Sequence, residues 1–126
     1  MLQPIATPNT TKARVLVVED ESIVRWYIEN TLKEGGHSVV ASCGSGEEAI
    51  ELCDEHRPQV VLMDIALSGG ITGIEAAKRI RERTGSAVVF LTANSDKGTV
   101  SRARAAVPYG YVIKPARYEE GKKYPV

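Results

Sequence analysis

The chain has 126 residues, 43% of them hydrophobic and 25% charged, with 16 basic and 16 acidic side chains that cancel, which fits one soluble domain around a single core. No apolar run approaches the ~20 residues of a membrane span, and Met1 to Ala13 lacks a basic region followed by an apolar one, so neither a membrane span nor a secretory leader is expected, and the cytoplasm is the expected compartment. Cys43 and Cys53 are too few for a disulfide framework or a thiolate metal site and read as small buried side chains.

Residues 1–11, with Pro4, Pro8, three Thr and Asn9, have no periodicity and read as a flexible arm ahead of a domain over 12–126. Arg14 to Val18 is the first apolar strand, and it runs straight into Glu19, Asp20 and Glu21. The helix predicted from Ser22 to Glu34 carries Val24, Ile28 and Leu32 on one stripe, and Gly35-Gly36 ends it. Ser38 to Ala41 forms a short second strand. Ser45 and Glu48 stand at capping-box spacing ahead of a helix whose buried face is Ala49, Ile50 and Cys53 and which stops at Arg57-Pro58. Val60 to Asp64, with Pro58 before it and Ser68-Gly69-Gly70 after it, reads as a strand buried on both faces. A helix from Gly73 to Arg83 then repeats Ile74, Ala77 and Ile80 at helical spacing. Ala87 to Leu91 is the fourth strand, ending at Thr92-Ala93. A helix of weaker pattern covers Lys97 to Ala106, and Tyr109 to Ile113 is the fifth strand, ending at Lys114-Pro115. Strands alternating with helices at short intervals imply right-handed crossovers and a mostly parallel sheet covered on both faces.

Bases outnumber acids after residue 64, and Lys78, Arg79, Arg81, Arg83, Arg102 and Arg104 could form a patch for an acidic partner. Solvated helix faces are the plainer reading. No aromatic interleaving accompanies the charges, so direct nucleic-acid binding is not expected.

The chemistry gathers at the C-terminal ends of the strands: Glu19 and Asp20 after the first, Asp64 after the third, Thr92 after the fourth and Lys114 after the fifth. In an open parallel sheet all of these reach one edge, the edge where ligands bind. Three carboxylates there repel one another unless a cation joins them, and oxygen-only ligands suit Mg²⁺ rather than Zn²⁺. Lys114 and Thr92 offer a positive charge and a hydroxyl to an anionic phosphoryl group. No glycine-rich phosphate loop follows the first strand, so a side chain must receive the phosphoryl group, and Asp64 is the candidate nucleophile.

These residues, in the segments Val17-Val18-Glu19-Asp20-Glu21, Val61-Leu62-Met63-Asp64-Ile65, Gly73-Ile74-Glu75-Ala76-Ala77, Leu91-Thr92-Ala93 and Gly110-Tyr111-Val112-Ile113-Lys114-Pro115, resemble the receiver domain of two-component response regulators from about Lys12 to Pro115. The resemblance implies a flavodoxin-like doubly wound five-stranded parallel sheet of order 2-1-3-4-5. It implies that Asp64 is the phosphoacceptor for a sensor histidine kinase or a histidine phosphotransfer protein, in self-catalysed phosphorylation and dephosphorylation rather than conventional enzymology. It implies Mg²⁺ held by Asp20, Asp64 and the backbone carbonyl of Ala66, with Glu19 acting through water. Thr92 and Tyr111 would be the switch pair, Ala66 and Asn94 would tune phosphoryl lifetime, and Lys114-Pro115 would hold a cis peptide. His37 and His56 lie at helix ends and read as surface or helix-dipole groups.

The pattern departs from that family in two places. The loop Ala66-Leu67-Ser68-Gly69-Gly70-Ile71-Thr72-Gly73 lacks the usual proline and reads as longer and looser. After Pro115, Gly121 and Pro125 interrupt what would be the last helix, so that helix is expected to be atypical or truncated, with a homodimer through the last helix-strand-helix face, or a missing effector, covering exposed apolar surface. A constitutive interaction module that keeps the fold without using phosphorylation is the alternative function. A flavodoxin-like cofactor protein is a third, and it would need Ser, Thr and Gly rather than acids after the first strand.

Overall fold

The computed structural model describes residues 12–92, 101–102, 104–106, 108 and 110–113. Five parallel strands, β1 (Arg14–Val18), β2 (Ser38–Cys43), β3 (Val60–Asp64), β4 (Ala87–Thr92) and β5 (Gly110–Ile113), form one sheet of order β2-β1-β3-β4-β5. The switch in strand order falls between β1 and β3, so the strand ends that carry Glu19, Asp20 and Asp64 flank the crevice this topology opens.

The first strand is central because it has no polar face. Val15, Leu16, Val17 and Val18 are at most 3% exposed, and each buried side chain of this size contributes roughly 1.5–3 kcal/mol. Alternation then sends Leu16 and Val18 to one face and Val15 and Val17 to the other. On the first face they meet Val61, Met63 and Phe90 of the sheet under the small-residue surfaces of helix α2 (Gly46–His56) and helix α3 (Gly73–Thr84). On the second they meet Leu91 beneath Val24 and Ile28 of helix α1 (Ser22–Glu34).

Local chemistry sets the helix ends. The Ser45 hydroxyl accepts the Glu48 amide at 3.2 Å to start α2, as the capping-box spacing predicts, and Arg57 in a left-handed conformation closes the helix before Pro58. Thr72 does the same for α3, its hydroxyl accepting the Glu75 amide at 3.0 Å. Strand β2 runs two residues past the expected Ala41 because Ser42 and Cys43 pair with Val17 and Val18. Of the helix expected over Lys97 to Ala106, residues 101–102 are helical and Arg104–Ala106 form a 3₁₀ turn. The N-terminal arm and the tail from Lys114 onward, with its expected atypical helix, lie outside the described residues. Among the described residues no helix is long and apolar enough to cross a membrane.

Cys43 and Cys53 are both buried and free, as their context predicts. Burial pushes the Cys43 thiol up to about 11 and the Cys53 thiol up to about 12. A thiol whose folded pKa is raised favours the fold fully below its ordinary value of 9.0, and that contribution drains as pH climbs from there through the folded values. At pH 8 a thiol-specific disulfide reagent should therefore leave both cysteines untouched until denaturant is added, and resistance to urea should decline above pH 9. Rapid reaction of the native protein would contradict the packing described for β2 and α2.

Candidate functional site

The sheet does not end abruptly at β1. The Glu19 amide still donates to the Cys43 carbonyl at 3.0 Å, so Glu19 continues the strand and its side chain is fully buried. One of its carboxylate oxygens accepts the Glu21 amide at 3.1 Å, which folds the chain back over it. The Arg25 guanidinium, one turn into α1, donates to the Glu19 carbonyl and fixes the same turn from the helix side. Asp20, next along, reaches the surface, where the Ser68 hydroxyl donates to its Oδ2 at 2.7 Å.

Asp64 closes β3 and is buried. Its Oδ1 accepts the Ala66 amide at 3.0 Å, a short Asx turn that points the carboxylate along the strand end. The Ile65 amide donates to the Leu91 carbonyl at 3.0 Å and ties that turn to β4. Behind it, α3 begins so close that a Cβ on Gly73 would lie 2.4 Å from the Asp64 carbonyl oxygen. Thr92, also buried, follows Leu91, the register partner of Asp64.

Glu19, Asp20 and Asp64 thus bring carboxylate oxygens within 4.8 Å of one another. At that separation two ionised carboxylates repel by about 3–4 kcal/mol at an effective dielectric constant of about 20. Burial pushes the Asp20 carboxyl up, but its hydrogen bonding, chiefly the donation from Ser68, outweighs it and holds Asp20 below the usual carboxylate range. Hard oxygen donors converging at a partly open edge can hold a divalent cation, and the described side chains there offer no softer ligand.

The expected residues Glu19, Asp20 and Asp64 therefore come together, and Thr92 stands at the neighbouring strand end. Ala66 meets the site through its amide. Tyr111 lies in β5 in register with Phe90, while Lys114, Asn94 and the Lys114-Pro115 peptide lie outside the described residues. His37 accepts the Ala13 amide through Nδ1 at 3.1 Å and so pins the start of β1, away from the acidic edge. Of the basic side chains read as solvated helix faces, Arg79 is paired to Glu75 and Arg83 to Asp54, both exposed.

The loop after Asp64 corrects the expectation of looseness. Leu67 is buried, Ser68 is bonded to Asp20, and the Ile71 amide donates to the Glu47 carboxylate at 2.9 Å. Gly70 has a φ of +54°, which glycine adopts without strain, and a Cβ there would push that same carboxylate aside. Ser68, Glu47, Arg25 and Gly73 are the residues that sequence reasoning missed. The spacing Thr72…Glu75 announces the α3 cap, but nothing local announces a hydrogen bond between Ser68 and Asp20, 48 residues apart.

A doubly wound parallel sheet with an acidic, cation-ready crevice at its switch point defines a flavodoxin-like α/β domain with a ligand site at that edge. The response regulator receiver domain family matches residues 15–124, and the chain belongs to that family. It is 39% identical over 102 residues to the transcriptional regulatory protein PdtaR of Mycobacterium tuberculosis, a match that covers 81% of this chain and 49% of that protein. It is 34% identical over 103 residues to the transcriptional regulatory protein AfsQ1 of Streptomyces coelicolor, covering 82% of this chain and 45% of that one. The chain spans about half the length of these curated relatives. Among solved structures, the signal receiver domain of a modulated diguanylate cyclase from Desulfovibrio desulfuricans G20 superposes with a TM-score of 0.76 at 33% identity, covering 82% of each chain.

The contact between α3 and the acceptor strand gives a direct test. Gly73→Ala forces the helix start away from the Asp64 carbonyl, and overpacking of this kind costs about 1–3 kcal/mol. Urea unfolding followed by circular dichroism should show a lower midpoint, with the unfolding free energy reduced by about that amount and secondary structure retained. An unchanged midpoint would show that the helix start has slack the structure does not contain.

Proposed function

We propose that this receiver domain accepts a phosphoryl group on Asp64 from the phosphohistidine of a sensor histidine kinase or a histidine phosphotransfer protein, in a Mg²⁺-dependent reaction, and passes its altered surface to a partner. The convergence of Glu19, Asp20 and Asp64 at the switch-point edge is the observation that carries this reading. Mg²⁺ would be held by Asp20, Asp64 and the Ala66 carbonyl, with Glu19 behind them. When bound, it offsets the negative charge of the carboxylates and of the entering phosphoryl oxygens.

The chain's own groups do the rest. An Asp64 carboxylate oxygen attacks phosphorus, the P–N bond breaks, and the imidazole leaves with the electron pair and takes up a proton. Attack by water on the acyl phosphate later returns free Asp64 and inorganic phosphate. The Ala66 amide, already directed at Asp64, fixes the carboxylate's rotation before attack. Thr92 supplies a hydroxyl and Lys114 an ammonium to the phosphoryl oxygens, and Thr92 with Tyr111 carries the change to the edge of the sheet. The names of these relatives, both transcriptional regulatory proteins, support a transcriptional output.

The donor's landing site follows from exposure. Ile23 and Trp26 are both 62% exposed on the first two turns of α1, immediately after the acidic residues. A pair of large apolar side chains facing water beside a reactive mouth suits a helical partner that must bring its phosphohistidine to Asp64.

Two measurements test these points. Intact mass after incubation with acetyl phosphate and Mg²⁺ should show one labile phosphoryl group on the wild type and none on Asp64→Asn or in the presence of a chelator. No adduct on the wild type, with no detectable Mg²⁺ binding, would favour the constitutive interaction module instead. With a histidine phosphotransfer protein that loads the wild type, Trp26→Ser should slow transfer about tenfold, as expected for loss of a central aromatic contact. Uptake from acetyl phosphate should stay the same. Equal slowing with both donors would remove the docking role.

A further inference from the structure

We propose that Ser68 is a positioning residue for the cation site, holding one oxygen of Asp20 so that the other is presented to the ion. The proposal rests on the Mg²⁺ reading above. Asp20 is the most exposed of the three clustered carboxylates and the only one on a loop rather than on a strand or its direct continuation. A surface Asp is free to sample several rotamers, and each non-productive one reduces metal affinity in proportion to its population. Ser68 removes that freedom. Its hydroxyl donates to Asp20 Oδ2 at 2.7 Å and its amide approaches the same oxygen at 3.4 Å, two donors from one residue on one acceptor atom.

A carboxylate accepts on both oxygens, so occupation of Oδ2 leaves the second oxygen able to serve as a ligand. Such an arrangement orients a ligand from outside the coordination sphere. For it to work, Ser68 must itself be fixed. On its N-terminal side Leu67 is anchored in the core. On its C-terminal side Gly70 packs against the Glu47 carboxylate, which also accepts the Ile71 amide at 2.9 Å. Glu47 lies in the first turn of α2, so the loop is fastened to a helix at one end and to the core at the other. The geometry supplies what an orienting residue needs: a short hydrogen bond to the ligand and a rigid base behind it.

A hydroxyl donor that merely occupied Asp20 would compete with the ion, and removing it would tighten binding. The test therefore has a sign. Mg²⁺ dissociation constants are measured by calorimetry on the unphosphorylated chain, for wild type, Ser68→Ala and Ser68→Thr, with thermal unfolding in a chelator as a check on the fold. Ser68→Ala should bind Mg²⁺ roughly tenfold more weakly, Ser68→Thr should recover most of the loss, and the metal-free melting temperatures should agree. Rescue by the hydroxyl is what a purely structural role for the side chain would not give.

Equal or tighter binding by Ser68→Ala, with a wild type that binds, overturns the positioning role and leaves the Mg²⁺ reading standing. A parallel loss in both variants points to loop packing rather than to the hydroxyl and also overturns it. A wild type that binds no Mg²⁺ removes the cation reading, and the positioning role falls with it.

Discussion

Three carboxylates held within 4.8 Å by a rigid sheet are the constraint around which the rest of this structure is arranged. Their mutual repulsion would open the crevice if the strands could move apart. They cannot, because the residues immediately before the acids, Val15 to Val18 and Val60 to Met63, are locked into the sheet and packed on both faces. The core therefore works against the site, and the strain it contains is electrostatic rather than steric. Hydrogen bonds to each carboxylate partly offset it: Glu21 on Glu19, Ser68 on Asp20 and Ala66 on Asp64. A cation would remove most of the remainder, which is the physical reason to expect cation binding and phosphoryl chemistry to be linked in this domain.

The three loops above the sheet are not independent. Arg25 ties the first loop to α1, Ser68 ties the third loop to Asp20 of the first, and Glu47 ties the third loop to α2. Gly73 lets α3 start directly on the Asp64 backbone. Each contact is modest by itself, about 1 kcal/mol for an ordinary hydrogen bond and somewhat more for one to a charged group. Together they join the acidic edge to the starts of α1, α2 and α3.

Most of this architecture was legible in the sequence because it depends on short-range signals. Apolar runs bounded by Gly, Pro or acids mark all five strands, and Ser45 with Glu48 marks the α2 cap. The acids at the strand ends mark the site, since the parallel topology sends every such end to one edge. What was not legible depends on contacts between distant residues. Ser68 looks like one more polar loop residue, and only its placement opposite Asp20 gives it a role. The loop Ala66 to Gly73 reads as loose because it lacks the usual proline, and its glycines do not counter that reading. In the fold Gly70 and Gly73 are there for the opposite reason, since each allows a close approach that a side chain would block. Glycine content reports permissiveness of the backbone, and packing decides whether that permits motion or contact.

Under the proposed function the sheet also suggests how a signal leaves the site. Asp64 is joined to β4 through the Ile65–Leu91 hydrogen bond, and Thr92 follows directly. Thr92 is in register with Ile113 of β5, next to Val112, which is 47% exposed at the far edge of the sheet. The opposite direction, toward β2, leads through β1, whose side chains are fully packed and whose neighbour is capped by α2. A charge placed on Asp64 therefore reaches Thr92 and its register partner in β5 by the shortest route, whereas moving β1 would disturb both halves of the core. The packing of β1 on both faces is enough to give the response a direction, because a close-packed core resists small shifts.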